Sequence, residues 1–342
     1  MRDACQHGGQ QMISRRLARV QAAKASFNRF VILLNPASTH AKQVQKRIDE
    51  LRRLYPETPI DTIETSPSGM KATQKRLAAK RSWLGPGTLL CIGGGDGTAG
   101  TTIQTLLQHP ELSSSVRSTP ILPLWGGNAN DLAHMLNGAA YRTRLRDVFA
   151  HGQIVPIHPL ECRLTYKDGR REMHNAICYA SFGATAFVAK KLSRAEHRNH
   201  PIGKLPGGRF LLEFITAFSA MLDAPTFRVE ERGQPRAVYE RTFSNGSRFA
   251  KIYRMRVNLT DNMFYLHTLE DKRFVSLLPR MVELSQKRLA ERFLHDRASF
   301  TVTEPTQAQF DGEYIEIPAG TKVYVQLSPQ PFYALSTLLT EK

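Results

Sequence analysis

Two short stretches put acids beside backbone that could hold a phosphate. The first is Leu89-Leu-Cys-Ile-Gly-Gly-Gly-Asp-Gly-Thr-Ala-Gly-Thr-Thr102, four apolar residues running into glycines with Asp96 among them. Glycines let backbone N–H groups come close to phosphate oxygens, and a helix N-terminus adds a favourable dipole. An aspartate beside phosphates is repulsive unless it faces a metal ion, a positive group or a hydroxyl proton. The plain alternative is a capping aspartate at an ordinary glycine turn. The second stretch is Thr306–Phe310 followed by Asp311-Gly312 and Glu313–Ile317, two β-like runs around a dipeptide that signals a tight hairpin. A hairpin tip is a stiff mount that could aim Asp311 and Glu313 into a cleft.

Gly95, Gly97 and Gly100 make a formal G-x-G-x-x-G, but a dinucleotide fingerprint also needs an acid about 20 residues on, to grip the ribose. That region reads Ser113-Ser-Ser-Val-Arg-Ser-Thr119, with no carboxylate. No Gly-Lys-Ser/Thr follows, which excludes a Walker A loop.

The elements that must position these residues alternate in type. Phe30–Leu34 reads as a buried strand ending at Asn35-Pro36, and 42–54 as a helix through Val44, Ile48 and Leu51. Pro59–Ile63 reads as a strand, and 67–80 as a helix opened by Ser66-Pro67 as cap and first-turn proline. Strands follow at Thr88–Ile92 and Ile121–Leu124, with a helix after Asp96 between them. This alternation predicts a parallel sheet with helices on both faces. After His151-Gly152 the texture changes: 160–166, 174–182, 226–230, 237–243, 250–259 and 299–317 are β-like, with helical insertions at 209–222 and 277–294. A largely antiparallel β second domain is expected. The chain thus divides into a basic extension (1–26), an α/β domain (27–150), a β-rich domain (151–320) and a closing segment (321–342) returning to the first.

Charge is the abnormal quantity. Lys and Arg number 47 against 30 acids, a net charge of +17. Residues 163–209 alone hold ten basic residues against three acids. Such a field favours anionic partners: nucleic acid, acidic headgroups or phosphorylated small molecules. The bland reading is a solvated basic face. No helix-turn-helix, zinc-finger or RNP-like pattern supports nucleic acid. No apolar run reaches the roughly 18–20 residues that span a bilayer. Cys5, Cys91, Cys162 and Cys178 lie far apart without Cys-x-x-Cys spacing, and the N-terminus lacks an apolar signal region, so a cytoplasmic location is expected.

In combination, five segments resemble the diacylglycerol kinase catalytic domain family, which includes bacterial lipid kinases and the sphingosine and ceramide kinases. They are Leu33-Leu-Asn-Pro36, Gly94-Gly-Asp-Gly-Thr98, Pro123-Leu-Trp-Gly-Gly-Asn-Ala-Asn-Asp-Leu-Ala133, Asn175–Ala184 and Asp311-Gly-Glu313, in the family's order, with Thr65 after the second strand. The resemblance implies a first domain like that of NAD kinases and phosphofructokinases. It implies ATP and Mg2+ as cofactors, with Asn35, Pro36, Thr65, Gly94, Gly95, Asp96, Gly97, Thr98, Asn128, Asn130 and Asp131 at the nucleotide. It makes Asp96, Asp311 and Glu313 the catalytic acids, one of the last two serving as general base. It further implies a lipid acceptor met at an anionic membrane surface, peripherally. The chain departs from the pattern at Asn128, where threonine is usual, at Ala37–Ala41, which replaces a glycine-rich turn, and at Gly100, where asparagine is common. The family's Asp-Asp-Gly-type magnesium segment has no match in 259–280. NAD kinases share the Gly-Gly-Asp-Gly-Thr loop, so phosphorylation of a soluble acceptor is the competing expectation, and a non-catalytic binding module is the third.

Overall fold

The computed structural model describes residues 26–38, 40–66, 69–109, 111–126, 130–138, 145–193, 208–246, 248–249, 253–254, 263–270 and 294–337. The first half builds a six-stranded sheet from β1 (Arg29–Leu34), β2 (Ile60–Glu64), β3 (Thr88–Gly94), β4 (Pro120–Trp125) and β5 (Gln153–Ile157), joined by the chain's last described strand, β20 (Phe332–Ser336). The order is β2-β1-β3-β4-β20-β5. Every neighbour pair is parallel except β20 with β5. All seven residues of β3 are buried, as a parallel strand covered on both faces must be.

Side-chain alternation sends Phe30 and Ile32 to one face of this sheet and Val31 and Leu33 to the other. The first face packs on α1 (Ala41–Leu54) through Val44, Ile48 and Leu51, the apolar stripe read from the sequence. The other is covered by α2 (Met70–Ala79), α3 (Asp96–Gln108) and, beyond the short turn α4 (Ser114–Arg117), α5 (Asp131–Asn137). α6 (Leu145–His151) joins α1 on the first face.

The second half is antiparallel. One six-stranded sheet contains β6 (Leu160–Thr165), β7 (Arg171–Ala176), β9 (Phe227–Glu231), β10 (Gln234–Val238), β16 (Arg297–Val302) and β19 (Thr321–Leu327). The other contains β8 (Tyr179–Gly183), β11 (Glu240–Ser244), β14 (Phe264–Leu269), β15 (Leu294–His295), β17 (Thr306–Phe310) and β18 (Glu313–Ile317). β12 (Arg248–Phe249) and β13 (Tyr253–Arg254) form a separate small pair. The two large sheets close over one core in which Phe182 meets Phe243, Phe300 and Phe310 edge-on. Each fully buried phenyl ring contributes roughly 1.5–3 kcal/mol. Helices α7 (Ala184–Ser193) and α8 (Gly208–Asp223) pack together between β8 and β9.

The expected class, α/β followed by antiparallel β, is the observed one. Several expected boundaries are not. Helix α2 starts at Met70, because Gly69, at a positive φ of 97°, stands as its N-cap residue, and the Ser66 N–H donates to Thr73 Oγ1. The run 174–182 breaks at Ile177-Cys178, where the chain leaves one sheet for the other, and 237–243 breaks at Tyr239. Of the closing segment, β19 belongs to the sandwich and β20 to the first sheet. The basic extension up to residue 25 lies outside the described residues. So do most of 250–259 and of the helix expected at 277–294, apart from Tyr253–Arg254 and Leu294, which are strand.

Candidate active site

Three loops meet at the carboxyl edge of the parallel strands, flanking the point between β1 and β3 where the strand order reverses. In open α/β sheets that crevice is where ligands bind. Asn35 closes β1: its N–H donates to the Gly93 carbonyl at 2.8 Å and its Oδ1 accepts the Ala37 N–H at 3.0 Å, turning the chain at Pro36. Its Nδ2 reaches Thr98 Oγ1 at 3.3 Å. Two glycines let the loops close up. A Cβ at Gly94 would lie 2.4 Å from Thr98 Oγ1, and one at Gly126 would lie 2.8 Å from the Gly94 carbonyl oxygen. The Ser38 hydroxyl donates to the Gly126 carbonyl, tying in the first loop. Beyond Gly95 the first N–H groups of α3 have no intrahelical acceptor, so they face the crevice edge as free donors.

Asp96 opens α3 but does not cap it. Its two carboxylate oxygens accept the N–H groups of Asp131 and Leu132, at 3.2 and 3.3 Å, so it caps α5 from across the crevice. Asn130, left-handed at φ 53°, turns the chain into α5 and accepts the Gly126 N–H at 3.2 Å. Burial, reinforced by the neighbouring Asp131 charge and opposed by the two N–H groups, pushes the Asp96 carboxyl up to about 7.

The expected hairpin forms. β17 and β18 pair Phe310 with Glu313 across Asp311-Gly312, both at positive φ (51° and 93°), which a two-residue type I′ turn requires. The Asp311 side chain folds back onto the strand break. Its oxygens accept the N–H groups of Ile177, Cys178 and Tyr179 at 2.5, 2.9 and 3.0 Å, while its own N–H donates to the Tyr179 carbonyl. Desolvation outweighs those three donors and raises Asp311 to about 6. Glu313, on the open side of the turn, is raised by desolvation alone.

The hairpin tip and α3 share one cleft of about 290 Å³, with Gly97, Gly100 and Gln104 on one wall and Asp311, Glu313 and Tyr314 on the other. His174, also in the wall, stacks on Phe310 at 4.6 Å and 7°, and its Nε2 lies 3.4 Å from Glu172; burial lowers its pKa, leaving a neutral ring at pH 7. Asp96 and Asp311 are close enough that the Asp311 charge adds to the Asp96 shift. The shifts at Asp96, Asp311 and Glu313 come from burial, backbone N–H groups and other acids; no Lys or Arg figures among their causes.

A magnesium ion carried by a nucleotide needs one or two carboxylates besides phosphate oxygens and water. Asp96 and Asp311 each keep a lone pair beyond those on the backbone N–H groups, and among the described residues no Lys or Arg shifts either, which fits such an ion. Among the described residues no three Asp, Glu, His or Cys side chains converge as a dedicated cage.

Among the residues expected from the sequence, Asn35, Gly94–Thr98, Asn130 and Asp131 meet at the sheet edge, with Pro36 in the adjoining turn, and of these Gly97 lines the cleft opposite Asp311 and Glu313. Thr65 follows β2 on the outer side, its N–H on the Leu34 carbonyl at 2.8 Å. Asn128 lies outside the described residues. Sequence reasoning missed His174, Gln104 and Tyr314 as wall residues and the Ile177–Tyr179 amides as the seat of Asp311. The one available signal for that seat was an acid at a turn tip, paired with a strand too long for one sheet.

The model of the diacylglycerol kinase catalytic domain matches residues 29–162. Two structures described as a "putative diacylglycerol kinase" from Bacillus anthracis strain Sterne superpose with TM-scores of 0.59 and 0.58, each at 14% identity, covering 92% and 91% of this chain and 98% and 99% of theirs. Yeast NADH kinase complexed with NADH superposes with a TM-score of 0.50 at 12% identity, covering 90% of this chain and 83% of its own. At these identities the superpositions speak for the fold. No curated protein matches the sequence. From β1 into β6 the chain is thus similar to the diacylglycerol kinase catalytic domain, a resemblance that points to a kinase.

Proposed function

We propose that the protein is an ATP-dependent lipid kinase that moves the γ-phosphate onto a lipid hydroxyl at an anionic membrane surface. The observation that carries this reading is the shared cleft, with the α3 backbone at Gly97 and Gly100 on one side, Asp311 and Glu313 on the other, and Asp96 near enough to feel the Asp311 charge. Phosphates sit against the α3 N-terminus, with Asn35, Thr98 and the Asn130–Asp131 turn around them. Bound Mg2+ supplies charge neutralisation on the phosphate chain. Asp96 orients the acceptor hydroxyl. Glu313, whose carboxylate has no backbone donors holding it, takes the hydroxyl proton as the oxygen bonds to the γ-phosphorus. The bond to the bridging β–γ oxygen breaks and ADP leaves. Asp311 is the positioning acid, fixing the hairpin tip to the 177–179 turn.

Two features support an interface. The charge of +17 draws the chain to acidic headgroups, at about 1 kcal/mol per well-placed Lys or Arg. Ile215, Phe218 and Leu222 are 55%, 46% and 59% exposed at helical spacing on α8. No described helix is long and apolar enough to cross a membrane.

The test is transfer from labelled ATP to diacylglycerol in anionic vesicles, run beside NAD as soluble acceptor and read by product chromatography. Glu313→Gln should lower kcat by about 10²–10⁴-fold with an unchanged melting temperature. NAD phosphorylation without lipid product, or wild-type turnover by Glu313→Gln, overturns the assignment.

A further inference from the structure

Most glycines of the crevice are explained by contact; two are not. A Cβ at Gly93, Gly94 or Gly126 would come within 2.7, 2.4 or 2.8 Å of its neighbours. At Gly97 and Gly100 it would meet nothing within 4 Å, and neither residue takes a left-handed φ. Glycine inside a helix is destabilising relative to alanine, so Gly100, in the second turn of α3, weakens its own helix with no packing or backbone reason. Both open glycines line the cleft, and Gln104 completes the same helix face. Their bare backbone makes a floor that a ligand can lie against.

The walls around that floor are hydrogen-bonding. Gln104 and Asn175 bring amides, and His174 a neutral imidazole oriented by Glu172 and Phe310. Asn175 Oδ1 is buried without a hydrogen-bond partner in the protein, an arrangement that needs a ligand group or an amide turned the other way round.

We propose that the acceptor enters by a polyhydroxylated headgroup, a glycerol or sugar unit, laid over the second turn of α3 at Gly100, past the first-turn amides that face the phosphates, and gripped by Gln104, His174 and Asn175. One hydroxyl then faces Glu313, and the others fill the polar wall. This rests on the kinase reading and goes further by naming the class of acceptor.

The test uses the full chain with labelled ATP and three acceptors at equal mole fraction in one vesicle background: dioleoylglycerol, dioleoylphosphatidylglycerol and a monoglycosyl diacylglycerol. At least one polyol lipid should exceed dioleoylglycerol tenfold or more in kcat/KM. Gly100→Leu should lower that value more than tenfold, mainly through KM, with nucleotide affinity measured by a fluorescent ATP analogue unchanged. Gly100→Ala should melt at a higher temperature and lower kcat/KM for the polyol lipid less than Gly100→Leu does. Asn175→Ala should narrow the gap between polyol lipid and dioleoylglycerol. Equal or better use of dioleoylglycerol, or a Gly100→Leu enzyme as active as the parent on the polyol lipid, overturns the proposal. Transfer to no lipid at all removes the kinase reading itself.

Discussion

Gly94→Ala tests whether the nucleotide loop is as tightly closed as its geometry indicates. The new methyl would lie 2.4 Å from Thr98 Oγ1, 2.6 Å from Thr98 Cβ and 2.9 Å from Cγ2. Turning the Thr98 side chain moves Oγ1 and Cγ2 but not Cβ, so a rotamer change cannot relieve the contact. The first turn of α3 must retreat by about 1 Å to restore an ordinary separation. Overpacking of this kind costs about 1–3 kcal/mol. The 3.3 Å bond from Asn35 to Thr98 stretches with it, adding roughly 0.5–1.5 kcal/mol. Urea unfolding should therefore show a loss of about 2–4 kcal/mol. Under the proposed function the same retreat carries the α3 amides away from the phosphates, and a displacement near 1 Å lowers turnover on the order of 10²-fold. Thr98→Gly removes all three clashing atoms, so the double variant Gly94→Ala/Thr98→Gly should recover at least 1 kcal/mol relative to additivity. A Gly94→Ala protein within 0.5 kcal/mol of the parent, with undiminished ATP affinity, refutes the close approach of β3 and α3.

Activity should fall as pH drops below neutrality, because Asp96 at about 7 and Asp311 at about 6 protonate there; a rate profile flat down to pH 5 contradicts the acidic cleft. Replacing Ile215, Phe218 and Leu222 together by serine should abolish flotation with anionic vesicles while the melting temperature holds; unchanged flotation removes α8 as the contact. Glu240, buried at the start of α7 with the Thr185 N–H and the Thr185 and Thr242 hydroxyls on its carboxyl, is raised from 4.5 to about 7. Between those values the folded chain keeps a proton that the unfolded chain has lost, so this group makes stability decline as pH rises through the window, by at most about 1.4 kcal/mol per pH unit. Glu240→Gln should remove that part of the decline, seen as a wild-type-minus-variant difference in melting temperature that narrows from pH 5 to 7; a constant difference rules it out.

What the sequence disclosed was local. Glycines that must admit a neighbouring side chain, an Asn-Pro closing a strand and an Asp-Gly between β-like runs each have a mechanism acting within a few residues. Helix α1 was legible because Val44, Ile48 and Leu51 keep helical spacing through one buried face. The partners of the acids were not, because they are distant in the chain. Asp96 caps a helix 35 residues on, and Asp311 seats on amides 132–134 residues back. The break at Ile177-Cys178 was hidden because Ala176, Ile177, Cys178 and Ala180 are all buried, so no alternation marks the change of sheet. The start of α2 was misplaced because Ser66-Pro67 imitates a cap that Gly69 actually sets aside.

The acids of the cleft divide into two kinds by what holds them. Asp96 spends both oxygens on the first N–H groups of α5, and Asp311 spends both on the turn that joins the two sandwich sheets. Each is thereby held by an element other than its own, tying α3 to α5 and the hairpin tip to the turn between the sandwich sheets. Fixed carboxylates of this kind are good at setting distances, and their backbone donors partly offset the rise that burial causes. Glu313 is raised by desolvation with no donor opposing it, and it leads β18 from the open side of a rigid turn. The acid without backbone donors is thus mounted beside two that are held by them, which is why the proposed mechanism gives the proton transfer to Glu313 and the geometry to Asp96 and Asp311.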